Sequence, residues 1–147
     1  MNRDFAEMLK ALSDEGVEYL VVGAYAVAAH GIPRATGDID LWVRPTQENA
    51  ARLWLALERF GAPRSRLTPE TFTKADVVYQ IGLPPNRIDL LTTIDGVEFE
   101  AAWQERVECV VDKVSFRMVS KRHLLANKRA TGRPQDLADV ARLEGLD

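Results

Sequence analysis

The sequence predicts an α+β fold, in which short apolar strands and amphipathic helices follow one another without an internal repeat. Residues 18–23, EYLVVG, form a short apolar run that ends at glycine, as is typical of a buried strand. Near the N-terminus, apolar residues instead recur at helical spacing, at Phe5, Met8, Leu9 and Leu12. With 147 residues the chain can bury its own core, and we expect a single domain over residues 1–147.

The other elements follow from local signals in chain order. After the first helix, which ends near Gly16, strands are predicted at 18–23, 38–43, 76–83, 87–92, 107–111 and 114–119. Further helices are predicted in AYAVAAHG, from the N-cap Thr46 to Phe60, at 99–106, at 120–131 and at 134–144. Thr68-Pro69-Glu70 predicts a short helical turn. LPPN and Asp112-Lys113 are the expected turns of two β-hairpins.

Composition favours a protein of the cytoplasm. The N-terminal segment is charged and has no apolar signal-peptide core, and no uncharged run is long enough to span a membrane. Cys109 is the single cysteine, so an internal disulfide is excluded and a reducing compartment is expected. The net charge of −3 argues against indiscriminate binding to nucleic acid or membrane.

Acidic residues occupy alternate positions of the predicted strand DIDLWV. Strand side chains alternate between two faces, so Asp38 and Asp40 point the same way, with Cα atoms about 6.6 Å apart. Farther along the chain, RIDLL places Asp89 between two apolar residues in the same manner. If the three carboxylates converge, each pair repels by roughly 3 kcal/mol at an effective dielectric constant of about 20. Three pairs approach ~10 kcal/mol, comparable to the whole stability of a small domain. Such a cluster therefore points to a neutralising cation, and Mg²⁺ suits ligands that are all oxygen.

Each aspartate also has a purely structural interpretation. Asp38 could belong to a TGD turn, Asp40 could pair with a neighbouring arginine, and Asp89 could pair with a basic residue on an adjacent strand. For one aspartate in a strand these alternatives are favoured. A D-x-D pattern followed by a second aspartate with apolar neighbours favours the metal site.

Gly23 separates the first predicted strand from the short helix that begins near Ala24. Without a side chain, its backbone can lie close to a ligand. The first turn of a helix presents free N–H groups and the positive end of the helix dipole, which suit a phosphate. A glycine at this point is often only a break between two elements, but the following D-x-D favours a role in binding.

These motifs resemble the nucleotidyltransferase fold of the DNA polymerase β superfamily. That family carries hG[GS], then Dh[DE]h, and later an hDh strand. Here VGA is followed after thirteen residues by DIDL and later by IDL, so the resemblance covers a core at about residues 18–91. It implies a small mixed β-sheet flanked by helices, with further helices at the C-terminus.

The C-terminal part, about residues 120–144, resembles the AbiEii-type bacterial toxins and related uncharacterised nucleotidyltransferases. These carry a lysine on a late helix, followed by a helix with an R-D-x-x-D pattern. The corresponding residues are Lys128, Asp136 and Asp139 in LLANKRATGRPQDLADVARL. The resemblance implies a toxin–antitoxin-type component.

The resemblance also implies roles for individual residues. Asp38, Asp40 and Asp89 would hold two Mg²⁺ (or Mn²⁺) ions that bridge the triphosphate of an NTP such as ATP. Asp89 would also accept the proton of the attacking hydroxyl. Phosphate contacts would come from Gly23, Ala24, Arg34 and Lys128, although a surface salt bridge explains Arg34 equally well. Asp136 would orient Lys128 or Arg133, or would act only as a favourable acid in the first turn of its helix.

Two positions depart from the family patterns. Ala24 stands where the family has glycine or serine, so a serine hydroxyl is absent and backbone N–H groups remain. Pro134-Gln135 stands where the toxin pattern puts an arginine before the aspartate. These departures bear on the activity and on the choice of substrate, and neither removes a predicted metal ligand.

Three hypotheses about function remain open. The first is a metal-dependent nucleotidyltransferase whose acceptor is RNA, a protein or a small molecule. The second is a non-catalytic module that keeps the fold and binds a nucleotide or a protein partner. Under either hypothesis, a protein partner or a homodimer is left open. The third, compatible with both, is RNA binding through residues 113–133, which hold seven basic residues and no acidic one.

Overall fold

A computed structural model describes residues 1–34 and 37–146 of the chain. Its strands are β1 (Tyr19–Val22), β2 (Ile39–Val43), β3 (Val78–Ile81), β4 (Ile88–Leu91), β5 (Val107–Val111) and β6 (Val114–Met118). Its α-helices are α1 (Arg3–Asp14), α2 (Gly23–Ala29), α3 (Gln47–Phe60), α4 (Phe99–Gln104), α5 (Lys121–Thr131) and α6 (Pro134–Glu144). A 3₁₀ turn covers Pro69–Thr73. Each of these elements overlaps a segment predicted from the sequence, although α2 begins at Gly23, which was predicted to end the preceding strand, and the 3₁₀ turn extends to Thr73.

The six strands form one mixed sheet in the order β3-β4-β2-β1-β6-β5. β2 pairs with β4 in parallel and with β1 antiparallel, while β1 pairs with β6 in parallel. β3 and β5 are added at the two edges as antiparallel hairpin partners of β4 and β6. The prediction of a small mixed sheet flanked by helices is confirmed. Two of the predicted loop residues, Ala35 and Thr36, lie outside the described residues.

The central strand β2 is covered on both faces. Ile39, Leu41 and Val43 are fully buried on one face, as the alternation predicts. On the opposite face, which carries Asp40, the side chain of Trp42 is only 2% exposed. The ring of Phe99 from α4 packs edge-on against Trp42, with 4.9 Å between the ring centroids. The acidic part of β2 therefore lies beside an apolar, covered part of the same face.

Helix ends follow the predicted capping residues. Thr46 accepts a hydrogen bond from the N–H of Asn49 at the start of α3, and Ser120 accepts one from the N–H of His123 at the start of α5, both at 3.2 Å. α1 packs on α3, and α5 packs on both α6 and α2. This packing brings the C-terminal helices next to the end of β1. No helix within the described residues is both long and apolar enough to cross a membrane.

Candidate active site

Asp40 and Asp89 lie side by side in the middle of the sheet. The parallel register of β2 and β4 places Asp40 directly opposite Asp89. Burial, the carboxylate of Asp89 and, more weakly, that of Asp38 raise the pKa of Asp40 to about 6. Crowded, partly desolvated carboxylates of this kind are characteristic of functional sites. The structure thus brings together two of the three predicted metal ligands at one point.

Gly23 packs directly against the side chain of Asp40. β1 pairs with β2 so that Val22 lies opposite Asp40, and α2 begins at the next residue. Gly23 has a φ of +70°, and a Cβ added to it would lie 2.2 Å from Oδ2 of Asp40. Only glycine leaves room for the carboxylate here. The sequence predicted that a ligand can lie close to the backbone of Gly23. In the structure the side chain of Asp40 lies there. Ala24 follows as the second residue of α2 and is half-buried.

Asp38 precedes β2 rather than forming its first residue, and it interacts chiefly with Arg87. The backbone N–H of Arg87 donates to Oδ1 of Asp38 at 2.9 Å. The guanidinium of Arg87 donates to both carboxylate oxygens of Asp89, at 2.7 and 3.1 Å. It also lies 3.6 Å from Oδ2 of Asp38. Arg87 was not among the site residues predicted from the sequence. The available signal was its position two residues before Asp89, which places both side chains on one face of an extended segment.

The site fits a divalent cation through the pair of Asp40 and Asp89. Adjacent carboxylate oxygens are the ligands that Mg²⁺ prefers, and burial together with the neighbouring carboxylates raises the pKa of Asp40 despite the positive charge of Arg87. Within residues 1–34 and 37–146, no set of three or more His, Cys, Asp or Glu side chains is arranged to hold a metal ion. Metal ligation by Asp38, Asp40 and Asp89 therefore stays a prediction, as does the presence of two ions.

A cavity of about 220 Å³ opens next to Asp40, and we call it the Asp40 cavity. The sheet side of its wall includes Gly23, Asp40 and Thr93. The helix side includes Lys128 and Arg133. The structure thus joins the glycine turn, an acidic ligand and a predicted phosphate-binding lysine around one space. The wall also includes Asp136, which pairs with both of these cations, so carboxylates and cationic groups are mixed around the space.

Lys128 is buried in a network of charges between α5 and α6. Its Nζ lies 3.2 Å from a carboxylate oxygen of Asp136 and 3.2 Å from one of Asp139. Arg133 donates to both oxygens of Asp136, at 2.6 and 3.2 Å. Hydrogen bonds from Arg133, and then from Thr131 and Lys128, outweigh burial and hold the pKa of Asp136 well below its usual range. Asp136 thus contacts both residues that it was predicted to orient. Arg133, with its side chain largely exposed, is a further cation of the site that was not in the predicted binding set.

Arg34 joins this network as a salt-bridge partner of Asp139. Its guanidinium donates to both carboxylate oxygens of Asp139, one of them at 3.2 Å. Burial alone would raise the pKa of Asp139, but hydrogen bonds from Arg34 and Lys128 bring it below the usual value. The alternative that the sequence left open for Arg34, a salt bridge, matches this geometry. The partner is an entirely buried aspartate rather than a surface acid.

The basic segment at residues 113–133 does not form one uniform positive surface. Arg117 pairs with Glu108 across the β5–β6 hairpin, and Arg122 pairs with Glu105. Of the remaining basic residues, Lys128, Arg129 and Arg133 each pair with an acid of α6. Charge that is concentrated in the sequence is therefore distributed in the fold and largely balanced by acids. This distribution disfavours the hypothesis of RNA binding through this segment.

Several solved structures share the fold of this chain. The lincosamide antibiotic adenylyltransferase LnuA superposes with a TM-score of 0.64 at 14% identity, covering 100% of this chain and 98% of that one. The antibiotic-resistance factor ANT(2'')-Ia gives 0.61 at 16% identity, covering 95% and 80%. An antigenic nucleotidyltransferase-like protein from Paracoccidioides brasiliensis gives 0.56 at 17% identity, covering 95% and 74%. At these identities the likeness shows the fold.

The sequence itself carries the family relationship. A comparison with curated proteins finds no match. A family described as nucleotidyl transferase of unknown function (DUF2204) matches residues 1–146. The narrower resemblance to AbiEii-type toxins stays a prediction. Since the family match extends over nearly the whole chain and the fold agrees with it, the protein belongs to this nucleotidyl transferase family.

Proposed function

We propose that the protein transfers a nucleoside monophosphate from an NTP, such as ATP, to a hydroxyl group in a reaction that depends on a divalent cation. The observation that supports this most directly is the pair of Asp40 and Asp89 against Gly23, next to a cavity lined by Lys128. Two close carboxylates of which one has a raised pKa are costly for folding. Binding of a cation offsets that cost, which explains why a fold would keep the arrangement.

In this proposal each residue of the site has a separate task. Asp40 and Asp89 hold the cation, with Asp38 as a further ligand, and Arg87 keeps the carboxylate of Asp89 in one orientation. Mg²⁺ or Mn²⁺ bound there would stabilise the charge that develops on the transferred phosphoryl group and on pyrophosphate. Asp89 also accepts the proton of the attacking hydroxyl.

The NTP phosphates are proposed to lie in the Asp40 cavity. The backbone N–H of Gly23 in the cavity wall and that of Ala24, the next residue of α2, approach them from the sheet side, and Lys128 and Arg133 approach them from the helices. Lys128 is held in place by Asp136, so its ammonium needs little rearrangement on binding. Arg34 acts on this site indirectly, through Asp139 and Lys128.

The acceptor that we favour is the hydroxyl group of a small molecule. LnuA is by its description an adenylyltransferase of lincosamide antibiotics, and ANT(2'')-Ia is an antibiotic-resistance factor. The paired charges of residues 113–133 count against RNA as acceptor. A protein acceptor, as for a toxin–antitoxin-type component, is tested alongside.

Two observations favour a second candidate, a non-catalytic nucleotide-binding module. The guanidinium of Arg87 occupies both oxygens of Asp89, the proposed base. Ala24 lacks the hydroxyl that a serine would offer to phosphate. Such a module would bind NTP with a divalent cation but would not transfer the nucleotide.

The test is incubation of the purified protein with each α-labelled NTP and Mg²⁺ in the presence of a cell extract. The products are then separated into RNA, protein and small molecules. We expect label in one of these fractions with wild type and none with Asp89→Asn. If wild type labels none of them while it still binds the NTP, the second candidate replaces the first.

A further inference from the structure

We infer that a second cavity, next to the Asp40 cavity, is the acceptor site and takes a small, non-anionic molecule with a hydroxyl group. We call it the Trp42 cavity, after the strand residue in its wall. It measures about 480 Å³, within the range of roughly 300–1,000 Å³ typical of small-molecule sites. This inference rests on the proposed nucleotidyl transfer and specifies its substrate.

The two cavities are neighbours that share part of their walls. Thr93 and Ile94 line both of them. Asp40 and Trp42 are alternate residues of β2, so both side chains lie on the same face of the sheet. The carboxylates proposed to bind the cation do not line the Trp42 cavity itself, so a molecule bound there would reach them past the shared wall residues Thr93 and Ile94.

The turn at residues 94–97 that separates the cavities is firmly attached to α5. Gly96 has a φ of +78°, and a Cβ added to it would lie 2.6 Å from Cβ of Ala130. Asn127 donates to the backbone carbonyl of Asp95 at 2.9 Å. An isolated bridge joins Ile94 to Val97. These contacts hold the turn in place, and the two cavities meet at its start, at Thr93 and Ile94.

The wall of the Trp42 cavity combines apolar surface with a few polar groups. Ile94 and Val97 contribute apolar surface that suits a ring or an aliphatic chain, whereas Trp42 and Phe99, only 2% and 7% exposed, form the buried base of the wall. The hydroxyl of Thr93 accepts a hydrogen bond from the N–H of Asp76 at 2.9 Å, which leaves its own O–H available to donate to a ligand. This mixture is typical of sites for small organic molecules.

The charge around the Trp42 cavity selects against anionic acceptors. Within the described residues its only charged lining side chain is the exposed Glu98, and no lysine or arginine lines it. Arg44, whose guanidinium lies 4.8 Å from the centroid of the Phe99 ring, is already paired with Glu18 and Glu100. A polyanion such as RNA would find no counter-charge there, whereas a neutral or cationic molecule needs none.

The proposed reaction is a displacement at the α-phosphorus of the NTP. The acceptor oxygen forms a bond to the α-phosphorus of the NTP, and the bond from the α-phosphorus to the bridging oxygen breaks. Pyrophosphate leaves with that electron pair, and the proton of the acceptor hydroxyl passes to Asp89. The products are a nucleotidylated small molecule and pyrophosphate.

The test fills the Trp42 cavity without touching the Asp40 cavity. Ala75 lies exposed in its wall, so Ala75→Trp occupies the space at little cost to the core. Leu55→Trp, at an exposed position of α3, is the matched control. Both variants and wild type receive α-labelled ATP and Mg²⁺ with separated small-molecule, RNA and protein fractions of a cell extract. Binding of α,β-methylene-ATP with Mn²⁺ is measured separately by calorimetry.

We expect wild type and Leu55→Trp to label the small-molecule fraction, and Ala75→Trp to lose about 100-fold of that product through displacement of the acceptor. Its nucleotide affinity should stay unchanged. Equal labelling by Ala75→Trp and wild type, or label only in RNA or protein, overturns the acceptor site while nucleotidyl transfer stands. Absence of label from every fraction with wild type overturns the proposed function and the acceptor site with it.

Discussion

Asp40 of β2 lies opposite Asp89 of β4, and its carboxylate occupies the space beside Gly23 that a side chain would need. Strands β1, β2 and β4 and helix α2 therefore meet at the carboxylate of Asp40. Burial, and then the charges of Asp89 and Asp38, raise the pKa of Asp40 to about 6. Crowded carboxylates of this kind destabilise the folded chain, and a bound cation would relieve them, as the proposed function requires.

Replacement of Asp40 by asparagine should stabilise the protein without metal. Because the pKa of Asp40 is raised from 3.8 to about 6, its ionisation disfavours the folded state, and stability is lost as pH rises through that interval. The gain for Asp40→Asn should grow from near zero below about pH 4 to about 2–3 kcal/mol above about pH 6. Urea unfolding at several pH values measures it.

The same variant should lose the stabilisation by metal and nucleotide. Wild type is expected to melt at a higher temperature with Mg²⁺ and ATP, whereas Asp40→Asn should show no such shift. Asp76→Asn, at an exposed acid before β3, is the control and should keep it. An equal shift in wild type and Asp40→Asn would contradict the assignment of Asp40 as a ligand.

Gly23→Ala should weaken metal binding at the site in addition to straining the backbone. The left-handed φ costs about 1–2 kcal/mol for alanine, and the new Cβ would displace the Asp40 carboxylate. Gly61→Ala is the matched control, since Gly61 has a φ of +88° and open space around it. Both variants should lose stability in chemical denaturation, but only Gly23→Ala should lose Mn²⁺ binding measured by electron paramagnetic resonance. Equal Mn²⁺ affinity in the two variants would show that the carboxylate is not held by this contact.

Arg87→Gln should lower the stability of the metal-free protein and increase its stabilisation by metal. Loss of the guanidinium leaves the buried Asp89 without its partner and should cost about 1–3 kcal/mol. Removal of that positive charge should also enlarge the rise in melting temperature on addition of Mn²⁺. Arg64→Gln is the control, because Arg64 is similarly buried but pairs with the exposed Glu58. An unchanged response to Mn²⁺ in Arg87→Gln would separate Arg87 from the cation site.

Asp139→Asn should lose more unfolding free energy than a variant that breaks an exposed ion pair. Asp139 is entirely buried and accepts hydrogen bonds from Arg34, Lys128 and Gln135, so its neutralisation leaves buried cations unbalanced and should cost about 3–5 kcal/mol. Glu144→Gln, which breaks an exposed pair with Arg129, should cost about 0–1 kcal/mol. Guanidinium unfolding of both variants gives the comparison. Similar losses would show that the network contributes no more than a surface pair.

The elements of the fold could be predicted from the sequence because their signals are local. The apolar run of β1, the helical spacing of α1 and the caps Thr46 and Ser120 each depend on neighbours within a few residues. The same holds for the hairpin turn at Asp112-Lys113, where both residues adopt a positive φ. The arrangement of the strands in the sheet has no local signal of this kind, because it depends on pairing between distant segments. The mixed sheet was expected only from the resemblance to a family.

The sequence by itself determined the types of residue at the site: a glycine between strand and helix, acids at Asp38, Asp40 and Asp89, and the later Lys128. Only the tertiary structure decided their partners, because register and helix packing join residues that are far apart in the chain. It placed Asp40 against Asp89, turned Arg87 onto Asp89, and paired Arg34 with Asp139 rather than leaving it free for phosphate. It also balanced the basic segment at residues 113–133 with acids, since a charge acts on its neighbours in space and not on its neighbours in sequence.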